Sequence, residues 1–287
     1  MRLGFAVLLL VIAPAVYAQS NLTITTEPNA IVWVDEIRRG TTDASGKITL
    51  TKVSAGRHSV RVRANGFKES VTPLVPGRRT VAVKLVPTTD QAELLFQQAE
   101  TARDKGSSEK AADLYRQAIK LRPAFPAAQV GLARVLFDLN QFKEAHAAID
   151  AARRARPLYA EASAVEGRIY REEAFADDAI RSFRRAIREG GGVQPEAYVG
   201  LARVLEDKGD FAQAIANFQK ALAQLADSEP VIYQMLGAAY EKVNKPKEAV
   251  AAYEKYLELA PSGSYAAAIR SILTQLKREA AGEQIIP

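Results

Sequence analysis

Residues 249–261 read Ala-Val-Ala-Ala-Tyr-Glu-Lys-Tyr-Leu-Glu-Leu-Ala-Pro, and this stretch decides how the chain is read. The small Ala249 is followed four residues on by Tyr253 and three further by Tyr256, and the segment stops at Pro261. The same pattern recurs upstream: Ala111, Ala145, Ala179, Ala214 and Ala249 are spaced by 34, 34, 35 and 35 residues. Four residues after each stands Tyr115, Ile149, Phe183, Phe218 or Tyr253, and three further Ala118, Ala152, Ala186, Ala221 or Tyr256. The units close at Pro123, Pro157, Gly191, Ala226 and Pro261. Ahead of these, Ala99, Ala133, Gly167, Ala202 and Gly237 hold equivalent places in an earlier helix. A small residue lets a neighbouring helix approach, and a bulky one fills the space beside it. One helix pair cannot bury its apolar stripe alone, so the pairs must stack.

This small–large alternation resembles the tetratricopeptide repeat, and the resemblance spans residues 92–261. It implies an all-α superhelical solenoid of five repeats over 92–263. Two features depart from the family: Leu95, Gln129 and Ser163 stand where an aromatic is common, and three units lack the Gly. Tyr265, Ala268, Ile269, Ile272, Leu273 and Leu276 then form one apolar stripe, predicting a capping helix over 264–280. Ile285-Ile286-Pro287 reads as a frayed tail.

In such arrays the first helix of each pair lines a concave face, where a protein or peptide partner is expected. Arg134, Arg168 and Arg203 occupy equivalent places in three successive repeats, with Arg171 one turn after Arg168. Stacked guanidinium groups would attract a carboxylate-rich or phosphorylated segment. Glu161, Glu172, Glu196, Glu206 and Asp207 interrupt the column, so an internal lattice of charge pairs is the competing reading. Phe96, Val130, Phe137, Val199 and Met235 are candidate anchors for apolar side chains of the partner, or packing between helices. The Lys/Asn pattern that clamps a C-terminal carboxylate is missing: Phe96, Val130, Ala164 and Val199, then Glu100, Arg134 and Arg168, hold those places.

Before the array, Pro87-Thr88-Thr89-Asp90 reads as a linker (88–91), with Asp90 as helix N-cap. From Leu22 to Val86 the period is two. Leu22, Ile24 and Thr26 alternate with Thr23 and Thr25, Val60 and Val62 with Ser59, Arg61 and Arg63, and Val81, Val83 and Leu85 with Thr80, Ala82 and Lys84. Ile31-Val32-Trp33-Val34 is a further strand, and Ile48 and Leu50 mark another. Pro28-Asn29, Ser45-Gly46, Ala55-Gly56, Asn65-Gly66 and Pro76-Gly77 supply the turns. The pattern predicts a small antiparallel β-sandwich over 22–87.

Glu27-Pro28-Asn29-Ala30 before Ile31–Asp35, then Ala55–Val60 and Asn65-Gly66-Phe67, resemble the PEGA domain. Asn29 replaces the motif's Gly, and Glu36 stands where a turn Gly commonly follows the Asp. The resemblance implies an accessory domain without catalysis, often found near cell-envelope polymers. Arg61, Arg63 and Lys84 are expected on the solvated side of their strands, with Arg38-Arg39 and Arg78-Arg79 near turns. Arg61, Arg63, Arg78, Arg79 and Lys84 are therefore candidates for an anionic polymer or lipid surface, against a merely solubilising face. Trp33 and Phe67 read as core or turn residues, which argues against nucleic acid.

Charge sharpens this division. The chain of 287 residues carries a formal +6. Residues 22–86 hold eleven Lys/Arg and five Asp/Glu, whereas 90–287 hold 27 and 28, and Arg2 supplies the remaining +1. Met1-Arg2, an apolar run from Leu3 to Val16 and Val16-Tyr17-Ala18 predict a secretory leader (1–18) cleaved after Ala18. The run is shorter than the ~20 residues of a spanning helix, although a retained anchor stays open. The mature protein is expected to be soluble in the periplasm or cell envelope. With no Cys, thiolate catalysis and Cys-ligated metals are excluded. The two histidines, His58 and His146, lie in different domains, which argues against a Ser/His pair, a His zinc site or a His general base, and no cofactor is called for. Gly190-Gly191-Gly192 reads as a helix end rather than a phosphate loop. Asp177-Asp178 and Glu172-Glu173 read as solvated helix faces. The expectation is a non-enzymatic adaptor, the alternative an envelope-attachment protein with the repeats as an arm; oligomeric state is not written in the sequence.

Overall fold

The structure is a computed structural model that describes residues 20–53, 58–225 and 227–281. The leader, the Ala55-Gly56 turn, the unit end at Ala226 and the Ile285–Pro287 tail lie outside the described residues.

Among the described residues, nine strands form the N-terminal region: β1 (Ser20–Thr25), β2 (Ile31–Val34), β3 (Ile37–Thr41), β4 (Lys47–Val53), β5 (His58–Arg63), β6 (Phe67–Lys68), β7 (Ser70–Leu74), β8 (Thr80–Ala82) and β9 (Val86–Pro87). One sheet has the order β4-β1-β8, the second β3-β2-β5-β7, and β6 pairs with β9. Leu22, Ile24, Val32, Val34, Val60, Val62, Val81 and Leu85 form the core, as period-two alternation requires. Three details differ from the expectation. The β1–β8 pair is parallel, so the region is not purely antiparallel. Arg38 and Arg39 lie within β3, and β7 is a strand that alternation did not reveal.

Val34 pairs with Ile37 across Asp35-Glu36, whose φ values are both positive, at 51° and 64°. Two left-handed residues make the turn that matches strand twist in a two-residue hairpin. The missing turn Gly is thus replaced by a Glu held in a backbone that glycine adopts more readily. Asn29, also left-handed, tolerates its place in the earlier turn.

Eleven helices follow among the described residues: α1 (Gln91–Asp104), α2 (Ser108–Leu121), α3 (Pro126–Asp138), α4 (Phe142–Ala155), α5 (Ala160–Glu172), α6 (Ala176–Glu189), α7 (Pro195–Asp207), α8 (Phe211–Leu225), α9 (Val231–Lys242), α10 (Pro246–Leu259) and α11 (Ala266–Ala281). Asp90 caps α1, accepting from the N–H groups of Ala92 (3.0 Å) and Glu93 (3.2 Å). Each first helix ends in a left-handed residue, Gly106, Asn140, Ala174, Gly209 or Asn244, which turns the chain into its partner helix.

The bulky residues of the second helices sit against small residues on two sides. The Phe183 ring lies between Gly167 of its own pair and Gly200 of the next, and a Cβ at either would overlap it. Gly131 is held the same way against Tyr115, and Gly237 against Tyr253. The apolar core divides at the third pair: Ala162, Val165 and Ile169 of α5 belong with α1–α4, while Ala164 joins the C-terminal pairs. At the division lies a polar cluster. Glu166 accepts from Arg153 (2.5 Å), Ser182 (2.6 Å) and Arg185, and Ser163 accepts from Arg153 (3.0 Å) and donates to Glu189 (2.6 Å). Burial opposes the charge on Glu166, but these donors outweigh it and hold the carboxyl below its usual range.

Candidate partner-binding chamber

The β-region packs into the curve of the helical array, and the two enclose a chamber of about 1590 Å³. One wall is the outer face of the sheet β3-β2-β5-β7. Because Val32, Val34, Val60 and Val62 point to the sandwich core, Ile31, Trp33, Ser59, Arg61 and Arg63 point to the array. The opposite wall comes from the first helices, with Phe96, Glu100 and Arg103 of α1, Arg134 and Phe137 of α3, Arg168 and Arg171 of α5, and Glu196, Val199 and Arg203 of α7.

The walls are joined at both ends. Near α1, Arg63 Nη1 lies 3.1 Å from Glu100 Oε2, and its guanidinium stacks on Phe96 at 4.6 Å. Gln97 accepts from the N–H of Gly66 and donates to the carbonyl of Phe67, both at 2.8 Å. Near the C-terminal pairs, Arg39 donates to the Gln224 carbonyl at 3.0 Å, and Ile37 is buried in the apolar cluster of those helices.

Of the nine residues selected for the concave face, seven line the chamber; Val130 and Met235 do not. Val130 is 1% exposed and serves helix packing, and Met235 packs against the C-terminal core. Phe96 lines the wall but is itself only 3% exposed, wedged against Phe125 and covered by Arg63, so it is not free to receive a side chain. Phe137 and Val199 are partly buried.

The arginines are not equivalent. Arg134 makes a bidentate pair with Glu196, at 3.0 and 2.9 Å, and a further bond to Glu161 at 3.2 Å. Burial works against the charges of both partners. Arg134 and Arg168 nevertheless hold Glu196 at about 2, and Glu196 raises Arg134. Arg168 shares Glu196 at 3.4 Å and lies 4.8 Å above the Phe137 ring. Arg171 pairs with Asp207 at 2.8 Å. Arg203 has no ion pair within 4.0 Å among the described residues and is exposed to the chamber.

The basic residues of the β-region divide as well. Arg61 and Arg63 are not on a solvated outer face. Arg61 lies 4.1 Å above Trp33 and pairs with Glu36 and Glu69, while Arg63 is buried between Glu69 and Glu100. The array covers that face, which isolated strand alternation cannot reveal. Arg78, Arg79 and Lys84 are exposed. Trp33 is neither core nor turn but a plate of the chamber wall. Its phase, opposite to Val32 and Val34, was the available signal. Gln97, which joins the two regions, had none.

Comparison with known proteins bears on the array. Residues 102–169 and 194–262 each match a family model of the tetratricopeptide repeat. A thermophilic tetratricopeptide protein of Thermus thermophilus superposes with a TM-score of 0.54 at 21% identity, covering 65% of this chain and 98% of that one. PilF of Pseudomonas aeruginosa gives 0.58 at 17% identity, with 68% and 89% covered. The Cut9–Hcn1 hetero-tetramer of the APC/C gives 0.58 at 17%, with 68% and 37% covered. No curated protein matches the chain. The helical region is therefore a tetratricopeptide array beside a small β-rich region. Proteins of this class are generally protein-interaction scaffolds and typically lack enzymatic activity.

Proposed function

We propose that the protein is an exported, non-enzymatic adaptor that holds a protein or peptide partner in the chamber between its β-region and its repeats. The observation that carries this reading is the chamber itself: about 1590 Å³, with apolar Val71, Leu158 and Val193 exposed at its lining and seven candidate groove residues on one wall. Such a mixture of exposed apolar side chains and charges of both signs suits a polypeptide segment. Export rests on the leader, and the PEGA-like reading of residues 22–87 is supported by the two-sheet order and the left-handed Asn29 turn. The alternative, attachment to an anionic surface, keeps only Arg78, Arg79 and Lys84 of its five candidate residues at the surface.

Affinity capture from cell-envelope extract with the mature chain separates the two. Arg168→Ala/Arg171→Ala/Arg203→Ala should lose the partner, and Arg78→Ala/Arg79→Ala/Lys84→Ala should keep it in moderate salt. Loss only in the second variant, with release by salt, would replace the adaptor reading by surface attachment. Arg134 is left out of the first set because its removal strands Glu196. N-terminal sequencing of the mature protein should begin at Gln19; an intact Met1 overturns the cleaved leader.

A further inference from the structure

Within the chamber, the positive and negative groups do not close into a complete set. Arg134, Arg168 and Arg171 are each in contact with a carboxylate, and Glu196 serves two of them. Arg203, in the next repeat, has no ion pair within 4.0 Å among the described residues; Arg156 of the lining has none either, but its guanidinium stacks on Tyr159 at 4.6 Å. Asp207 and Glu206 act on Arg203 electrostatically, but neither comes within 4.0 Å among the described residues. Partial enclosure and the neighbouring Arg171 and Arg168 push its guanidinium below the ordinary value, so the charge stands in a site that does not favour it as it is. Accessible apolar side chains share the chamber lining with these charges. Val199 lies one turn before Arg203 on α7, Val193 precedes α7, and Leu158 holds the equivalent place 35 residues earlier. Leu158 is 75% exposed and Val193 37%, and both line the chamber. The lining continues beyond Arg203 to Leu225 and Ile232, so a segment crossing it does not end there.

We infer that Arg203 is the anchor for one Asp or Glu side chain within an extended peptide segment whose apolar neighbours rest on Leu158 and Val193. This rests on the chamber reading and narrows it. An acidic side chain supplies the missing partner for the leftover guanidinium in a planar, two-pronged geometry. An internal acidic residue fits better than a chain terminus because the chamber extends to both sides of the anchor. Apolar flanks remove Leu158 and Val193 from water.

The test uses a displayed library of random dodecapeptides selected on the full mature chain, with Arg203→Gln selected in parallel. Trp33, the only tryptophan, stands in the chamber wall and reports entry through its fluorescence. Wild-type binders should change Trp33 emission and share one acidic position flanked by apolar ones. On Arg203→Gln the acidic preference should vanish while the apolar flanks remain, and the best wild-type peptide should bind at least about tenfold more weakly. Circular dichroism should show the variant folded, because Arg203 makes no ion pair to lose. Binders that alter Trp33 emission but share no acidic position, or keep it on Arg203→Gln, overturn the anchor and leave the chamber standing. Binders that leave Trp33 unchanged overturn the chamber reading itself.

Discussion

Two clusters of arginine meet at helix α5 and are built from the same groups, yet they are closed to different degrees. In the seam between α4, α5 and α6, Arg153 and Arg185 converge on Glu166, and Ser163, Ser182 and Glu189 take up the remaining bonds. Only Arg153 Nε is buried there without an acceptor. In the chamber, Arg134, Arg168 and Arg171 find carboxylates, and Arg203 does not. The first cluster lies where the apolar core divides, beside the Phe183–Gly167 contact of α5 and α6. The second leaves Arg203 without an ion pair within 4.0 Å among the described residues and lines the chamber. Counting arginines in the sequence separates neither from the other; what distinguishes a structural lattice from a binding site is whether the set closes on itself.

One of the two largest expected effects breaks the closed cluster. Glu166→Ala removes the acceptor shared by half-buried Arg153 and the partly exposed Arg185 and should cost about 2–3 kcal/mol in urea unfolding. A loss under about 1 kcal/mol would mean that the seam is solvated and that the contrast with the chamber is false. Gly200→Val tests the apolar seam beside it. The new side chain overlaps the Phe183 ring and should cost about 2–3 kcal/mol.

A smaller effect comes from acid. Glu196 ionises near 2 in the folded chain against its usual 4.5, so its contribution is present above 4.5 and is lost as pH falls toward 2. Discounted for solvent in the chamber, that contribution is on the order of 2 kcal/mol. Glu196→Gln should flatten the acid limb of a stability–pH curve between 4.5 and 2; an unchanged limb would remove Glu196 from the accounting. The smallest effect sharpens the comparison most. Arg203→Gln should change stability by no more than about 0.5 kcal/mol, whereas a loss comparable to that of Glu166→Ala would make Arg203 structural.

Much of this architecture was legible before any coordinates. Recurrence of Ala111, Ala145, Ala179, Ala214 and Ala249 marked the array, because helix pairs in register must repeat their small and bulky residues at one period. Asp90 announced the first helix, and the Val60/Val62 phase announced the sandwich core. Strand β7, with Pro73 and exposed Val71, carried too weak an alternation to be read, and the Glu36 turn lacked the glycine that signals a hairpin. Both competing readings of the groove were visible: Arg134 belongs to a charge lattice, and Arg203 has no ion pair within 4.0 Å among the described residues.

The sequence by itself determined the local periods, the division into two regions and the identity of the residues on each helix face, since these depend on neighbours three, four or two positions away. Only the tertiary structure decided that the Arg61 and Arg63 face of the sheet turns inward, that Glu100 receives Arg63 and that Arg203 meets no carboxylate within 4.0 Å among the described residues. Those outcomes depend on how one region packs against another, through contacts between groups up to 185 residues apart such as Arg39 and Gln224. No period in the chain encodes such a contact, because its energy is decided by which charges remain once both surfaces have met.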